Sequence, residues 1–222
     1  GALIMYTGNA DGASSTERMR ITSGGLVGIG ESSPSFDVGN TGIHIGGASS
    51  PAIRLKSTTT GSGDWEIYAD SASTGGLGFY EHQNNATYMY LSEGGLLGIG
   101  TSSPDGLVHA YSGNSGQTAN SNANQLIAEN SGNAGISIMS GASSLGNIYF
   151  SDSGSVNNGY VRYDHSTDQL KLKGESGILF LSQASSEKMR ITSGGNVGIL
   201  TSAPVANLEI EDGGTSNSII TK

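Results

Sequence analysis

Eighteen residues of this 222-residue chain occur three times without a gap. Glu17-Arg-Met-Arg-Ile-Thr-Ser-Gly-Gly-Leu-Val-Gly-Ile-Gly-Glu-Ser-Ser-Pro34 returns as Thr87-Tyr-Met-Tyr-Leu-Ser-Glu-Gly-Gly-Leu-Leu-Gly-Ile-Gly-Thr-Ser-Ser-Pro104. It returns again as Glu187-Lys-Met-Arg-Ile-Thr-Ser-Gly-Gly-Asn-Val-Gly-Ile-Leu-Thr-Ser-Ala-Pro204. The closing prolines, at 34, 104 and 204, are unevenly spaced. A constant element with variable spacers marks modules strung along an axis, none able to bury its apolar side alone. A structural joint is needed many times in one chain, whereas a catalytic motif seldom is.

The element implies a register. If Ser23-Gly24-Gly25 is a three-residue hairpin loop with Gly25 left-handed, then Ile21 opposes Val27, Arg20 opposes Gly28 and Met19 opposes Ile29. Met19, Ile21, Val27 and Ile29 then share one face, while Arg20 crosses a glycine on the other. A two-residue Gly24-Gly25 loop scatters the apolar set, so register favours the longer loop. The same logic places Met89, Leu91, Leu97 and Ile99 together around Gly95 and Gly98. It likewise groups Met189, Ile191, Val197 and Ile199 around Gly195 and Gly198.

Such a four-residue face is too small to hold a hairpin by itself, and its edges stay open to pairing. Wrapping copies of the chain around a common axis gives the face an interior and pairs the edges. The alternating glycines are expected to let backbones approach closely. Closed symmetry of order three suits a narrow β fibre, and these residues alone leave other orders open.

Composition supports this reading. The chain has 36 glycines, 6% aromatic and 13% charged residues, which is poor material for an ordinary core. A net charge of −9 opposes nucleic-acid binding, which calls for a basic stripe. No apolar stretch approaches the roughly 20 residues of a membrane span, and no targeting signal is visible. Cysteine is absent, so disulfides and thiolate metal sites are excluded. Gly1 is not an initiator methionine, and residues 206–212 resemble the segments after the other two motif prolines. The chain therefore reads as an internal piece of a longer protein.

Taking the motif as punctuation, residues 1–34 end one unit. Residues 35–104 form a short unit, 105–204 a longer one, and 205–222 begin another. Alternating runs at 52–56, 65–68, 77–80, 147–150, 160–163 and 169–173 predict strands separated by Gly/Ser/Asn/Asp turns. Ser14-x-x-Glu17 has the form of a capping box, but the run after it has period two. Only Ala123 to Asn130 is expected to hold a turn or two of helix. The fold class is all-β.

At the repeated element the chain resembles bacteriophage tail-fibre and tailspike-like proteins, especially the glycine-rich fibres of marine phages. The resemblance rests on residues 187–199, Thr201-Ser-Ala-Pro204 and Leu208-Glu-Ile210, and on residues 3–9 leading into Glu17-Arg-Met-Arg-Ile21. It covers about a third of the chain. It implies an elongated homotrimeric β shaft of repeated hairpin modules on a virion, outside the cell, supporting host attachment. The implied partners are two further copies of the chain and other virion tail or baseplate proteins. Such shafts also occur in bacterial surface proteins, so an adhesive filament on a capsid or cell surface is the alternative. Tyr88 and Tyr90 replace basic residues of the other copies. Leu200 replaces Gly30 and Gly100, and a leucine is not expected to be accommodated there as a glycine is.

Candidate chemistry is thin, and neither a catalytic residue nor a cofactor is expected. Gly28-Ile-Gly30 lacks the third glycine and the helix of a dinucleotide loop. Thr7, Asn9, Asp11 and Glu17 imitate a calcium loop with the wrong spacing. Residues 151–159 offer Asp152 and Asn157 to a cation but read as a polar turn. A histidine on a threefold axis would gather three imidazoles around a metal, but His44 and His109 alternate with apolar neighbours and are expected to face outward, so no metal site is expected. Carboxylates Glu66 with Asp70, and Asp152, Asp164 and Asp168, are the candidates for glycan cleavage. Trp65, Tyr68, Tyr80 and His82 are the candidates for binding host-surface glycans, with packing of a small core as the competing role for the rings.

Overall fold

The computed structural model describes residues 1–8, 15–36, 41–47, 49–59, 63–71, 75–211 and 216–217. Strands take up 45% of the chain and helix 1%, in several sheets of which none closes. The all-β class is therefore observed. Two compact units divide the chain, residues 1–136 and 137–222.

The first unit holds two sheets. β1 (Leu3–Thr7), β2 (Thr16–Ile21), β3 (Val27–Ile29) and β4 (Ile43–Ile45) form a four-stranded sheet in chain order. β5 (Ala52–Lys56), β6 (Asp64–Ala69), β7 (Leu77–Glu81), β8 (Ala86–Leu91), β9 (Leu97–Ile99), β10 (Val108–Tyr111) and β11 (Leu126–Glu129) form a seven-stranded one. In the second unit β12 (Leu145–Phe150), β13 (Gly159–Asp164) and β14 (Gln169–Gly174) make a three-stranded meander. β15 (Gly177–Leu181), β16 (Glu187–Thr192), β17 (Val197–Ile199), β18 (Leu208–Glu211) and β19 (Ser216–Asn217) complete a five-stranded sheet.

The three hairpins adopt the longer-loop register. Met19 faces Ile29, Arg20 faces Gly28 and Ile21 faces Val27. Met89, Tyr90 and Leu91 face Ile99, Gly98 and Leu97, and Met189, Arg190 and Ile191 face Ile199, Gly198 and Val197. Gly25, Gly95 and Gly195 have φ of 81°, 78° and 89°, the left-handed position that a bulged three-residue loop requires. Thr22 N–H donates to the Leu26 carbonyl and Gly25 N–H to the Thr22 carbonyl, closing the loop.

Two shared features were not expected. The first is a β-bulge on the strand before each loop. β1 pairs Met5 with Met19 but Tyr6 with Glu17, leaving Arg18 as the extra residue. Tyr88 and Lys188 are the extra residues against β7 and β15. Each bulge carbonyl accepts the N–H of the residue after the short strand: Gly30 to Arg18, Gly100 to Tyr88 and Leu200 to Lys188.

The second is a parallel fourth strand. β3 pairs with β4, β9 with β10 and β17 with β18, all in parallel. Residues 100–107 and 200–207 make two of these crossovers without a helix, in fewer than the roughly one dozen residues usually needed. The turn starts in the left-handed region: Gly30 at 68°, Gly100 at 79° and Leu200 at 59°. Leu200 is thus accommodated in the glycine conformation, contrary to expectation, and carries the strain of a Cβ there. Leu200→Gly is expected to raise stability by about 1 kcal/mol, read as a shifted denaturation midpoint.

The helical turn expected over Ala123 to Asn130 is instead strand β11, paired in parallel with β10. Ala123 N–H closes a turn onto the Asn120 carbonyl, and the open edge of β10 then supplies a ladder. Among the described residues, the helical element is one 3₁₀ turn at Gln183–Ser185.

The lone chain has almost no interior. Among the described residues, Tyr90 is the only fully buried apolar side chain. The chain exposes 15307 Å² at a mass of 22.5 kDa. A compact monomer of that mass would expose about 9,500 Å².

Candidate functional site

Three of the four sheets leave an apolar face open. In the seven-stranded sheet, pairing puts Leu55, Trp65, Phe79, Met89, Ile99 and Val108 on the same side. Leu55 is 62% exposed, Trp65 40% and Ile99 48%. The four-stranded sheet presents Leu3, Met5, Ile29 and Ile43, and the meander presents Ile148, Phe150, Leu170 and Leu172, again without cover. On each of these faces several large apolar side chains stand side by side in the open.

The opposite face is closed by local chemistry. Gly28, Gly98 and Gly198 lie under their own crossover: a Cβ there would stand 2.3 Å from the Glu31 carbonyl oxygen, 2.2 Å from that of Thr101 and 2.8 Å from that of Thr201. The close approach these glycines permit is therefore to the same chain's crossover. The residue after each motif proline then donates its N–H to a side chain on the parallel strand. Ser35 reaches His44 Nδ1 at 3.5 Å, Asp105 reaches His109 Nδ1 at 3.2 Å and Val205 reaches Glu209 Oε2 at 2.7 Å. Those acceptors occupy one register position, opposite Gly28, Gly98 and Gly198. They latch the crossover down.

His109 consequently faces inward, 1% exposed, rather than outward as expected. One ligand atom each from Asp105, His109 and Glu129 falls within 4.8 Å, the geometry of a metal cluster. The latch argues against a metal. Because Nδ1 accepts a hydrogen bond, the imidazole proton sits on Nε2, and that nitrogen has no lone pair to give. Nε2 lies 3.0 Å from Glu129 Oε2 but has no well-directed acceptor, so the contact is mainly electrostatic. Ser115 holds the Glu129 carboxyl below its ordinary pKa, through its N–H first and its hydroxyl second, against the opposing effect of burial.

The four residues proposed to bind glycans do not form one platform. Trp65 is on the apolar face, its ring 5.4 Å from that of Tyr88. Tyr68, on the other face, packs over Gly78 and bonds Thr87 through its hydroxyl at 3.2 Å. Tyr80 and His82 belong to a tight turn. The Tyr80 hydroxyl donates to Asn85, the two rings meet edge-on at 4.9 Å, and His82 Nε2 contacts Glu66 at 3.0 Å.

That turn has a counterpart. Tyr80-Glu-His-Gln-Asn-Asn85 and Tyr163-Asp-His-Ser-Thr-Asp168 both place an acid before the histidine and a left-handed Asn85 or Asp168 at the end. In both, the acid accepts turn N–H groups, Asn84 on Glu81 at 2.7 Å and Ser166 on Asp164 at 3.0 Å. Tyr163 and His165 repeat the edge-on ring contact at 4.8 Å. The shared Tyr-acid-His pattern at 80–82 and 163–165 is the signal in the sequence that marks both turns.

The other candidate sites are similarly occupied. Asn9, Asp11, Gly12 and Ser14 lie outside the described residues, while Thr7 accepts from Arg18 and Glu17 is bonded by Arg20. Asp152 accepts from Gly154, Ser155 and Asn158, closing a polar loop, and Lys173 donates to the Asn157 carbonyl. Glu66 is engaged by His82 and Asp70 by the Tyr90 hydroxyl. Lys171, with Ser166 next, holds Asp164 well below the ordinary carboxylate range.

Arg54 grips Asp64 with two bonds of 2.7 Å and lowers its pKa from 3.8 to about 2. Arg20 and Arg190 lower Glu17 and Glu187 in the same way. A lowered carboxylate contributes stability that is complete above its unfolded pKa and is lost as pH falls through the folded one. The β signal in circular dichroism should therefore hold from pH 7 to about 4 and fall between about 4 and 2. A β signal unchanged down to about pH 2 would show that these carboxylate pairs do not carry the stability.

No protein-family model matches this chain, and no curated protein matches it.

Proposed function

We propose that this chain is a shaft segment of a homotrimeric fibre of the bacteriophage tail type, holding a host-attachment tip away from the particle. Its role is mechanical, and no catalytic residue is assigned. The observation that carries the proposal is the apolar face left open on three sheets of a chain with one fully buried apolar side chain among its described residues. Three copies set face to face give Met19, Ile29 and their counterparts a common interior, and they leave the latched crossovers outside. The assignment to a virion, beside other tail or baseplate proteins, rests on the resemblance of the repeated element.

Co-expression of the chain in two differently sized tagged forms tests the assembly. Native mass spectrometry should resolve four species, the two pure and two mixed trimers. Three species would make it a dimer, and two separate monomers would overturn the proposal.

A further inference from the structure

The run Asn133-Ala-Gly-Ile-Ser-Ile-Met-Ser140 belongs to no sheet. None of the backbone groups from Ala134 to Ser140 makes a hydrogen bond to any described residue. The strands on either side of it, β11 and β12, are laddered, whereas this run has no backbone partner among the described residues. Water can satisfy those groups, as it does in a flexible linker, but linkers are built from small and polar residues. Here Ile136 is 71% exposed, Ile138 48% and Met139 90%. In the sequence Ile136 and Ile138 alternate with Gly135 and Ser137, the pattern of a strand with one covered face.

Charge indicates what covers it. From Asn130 to Ser151 the sequence contains no Asp, Glu, Lys or Arg, in a chain of net charge −9. Copies of an acidic chain repel one another, and an uncharged stretch is where they meet at least cost. We propose that Ala134–Ser140 is an interchain strand, hydrogen-bonded to a second copy of this chain, with Ile136 and Ile138 buried between copies. This inference rests on the trimeric reading and adds the segment through which the copies pair backbone to backbone.

Hydrogen–deuterium exchange on the intact chain, at a concentration where its mass has been measured, tests this. Among the described residues of one chain these amides have no acceptor, so the protection expected here is that given by another copy. The expected result is an oligomer in which the amides of 134–140 exchange at least about 100-fold more slowly than an unstructured peptide. An oligomer in which they exchange at the unstructured rate would overturn the inference and leave the trimer standing. A folded monomer would overturn both.

Discussion

Gly98→Ala should destabilise the protein by about 3 kcal/mol, a fall of about 6–12 °C in melting temperature. The added carbon would stand 2.2 Å from the Thr101 carbonyl oxygen and 3.1 Å from its Cγ2. Backbone cannot swing aside as a long side chain can, so residues 100–107 must lift. Lifting them breaks the bond from Asp105 N–H to His109 and exposes a histidine that is now 1% accessible. Gly94→Ala is the control, because its Cβ meets nothing closer than 3.7 Å and its backbone is not left-handed. That change should stay within about 0.5 kcal/mol. Equal effects from the two would mean that the crossover does not press on Gly98.

Ile99→Lys separates a chain that folds alone from one that folds only in company. In the isolated chain Ile99 is 48% exposed and its replacement should cost no more than about 0.5 kcal/mol. In a trimer packed through this face, three ammonium groups would enter one apolar layer without partners, at several kcal/mol each. The expected result is loss of the oligomer and of the β signal together, measured by gel filtration and circular dichroism. A variant that keeps its mass and its spectrum would show that Ile99 faces water in the assembled protein.

The hairpin was legible in the sequence because two local signals agree, Gly25 at the loop and the period-two placement of Met19, Ile21, Val27 and Ile29. The bulge at Arg18 was not, since an extra residue is defined by the partner strand, and nothing in Glu17-Arg-Met records how β1 lies against it. The parallel strands were missed for a related reason. A helix normally announces a parallel crossover, and here a proline turn over a glycine replaces it. The latch uses His44, His109 and Glu209, whose identities differ while their register position does not. Leu200 misled because side-chain size was weighed, whereas the fold demands a backbone conformation that leucine can still adopt under strain. The rings at Tyr80 and His82 suggested a ligand, and they are instead bonded into a turn whose second copy begins at Tyr163.

Sedimentation equilibrium of the unmodified chain over a range of concentrations tests the central claim most directly. The account predicts a folded species of three times 22.5 kDa, with no folded monomer at any concentration. A well-folded species of 22.5 kDa, its apolar sheet faces stable in water, would contradict it.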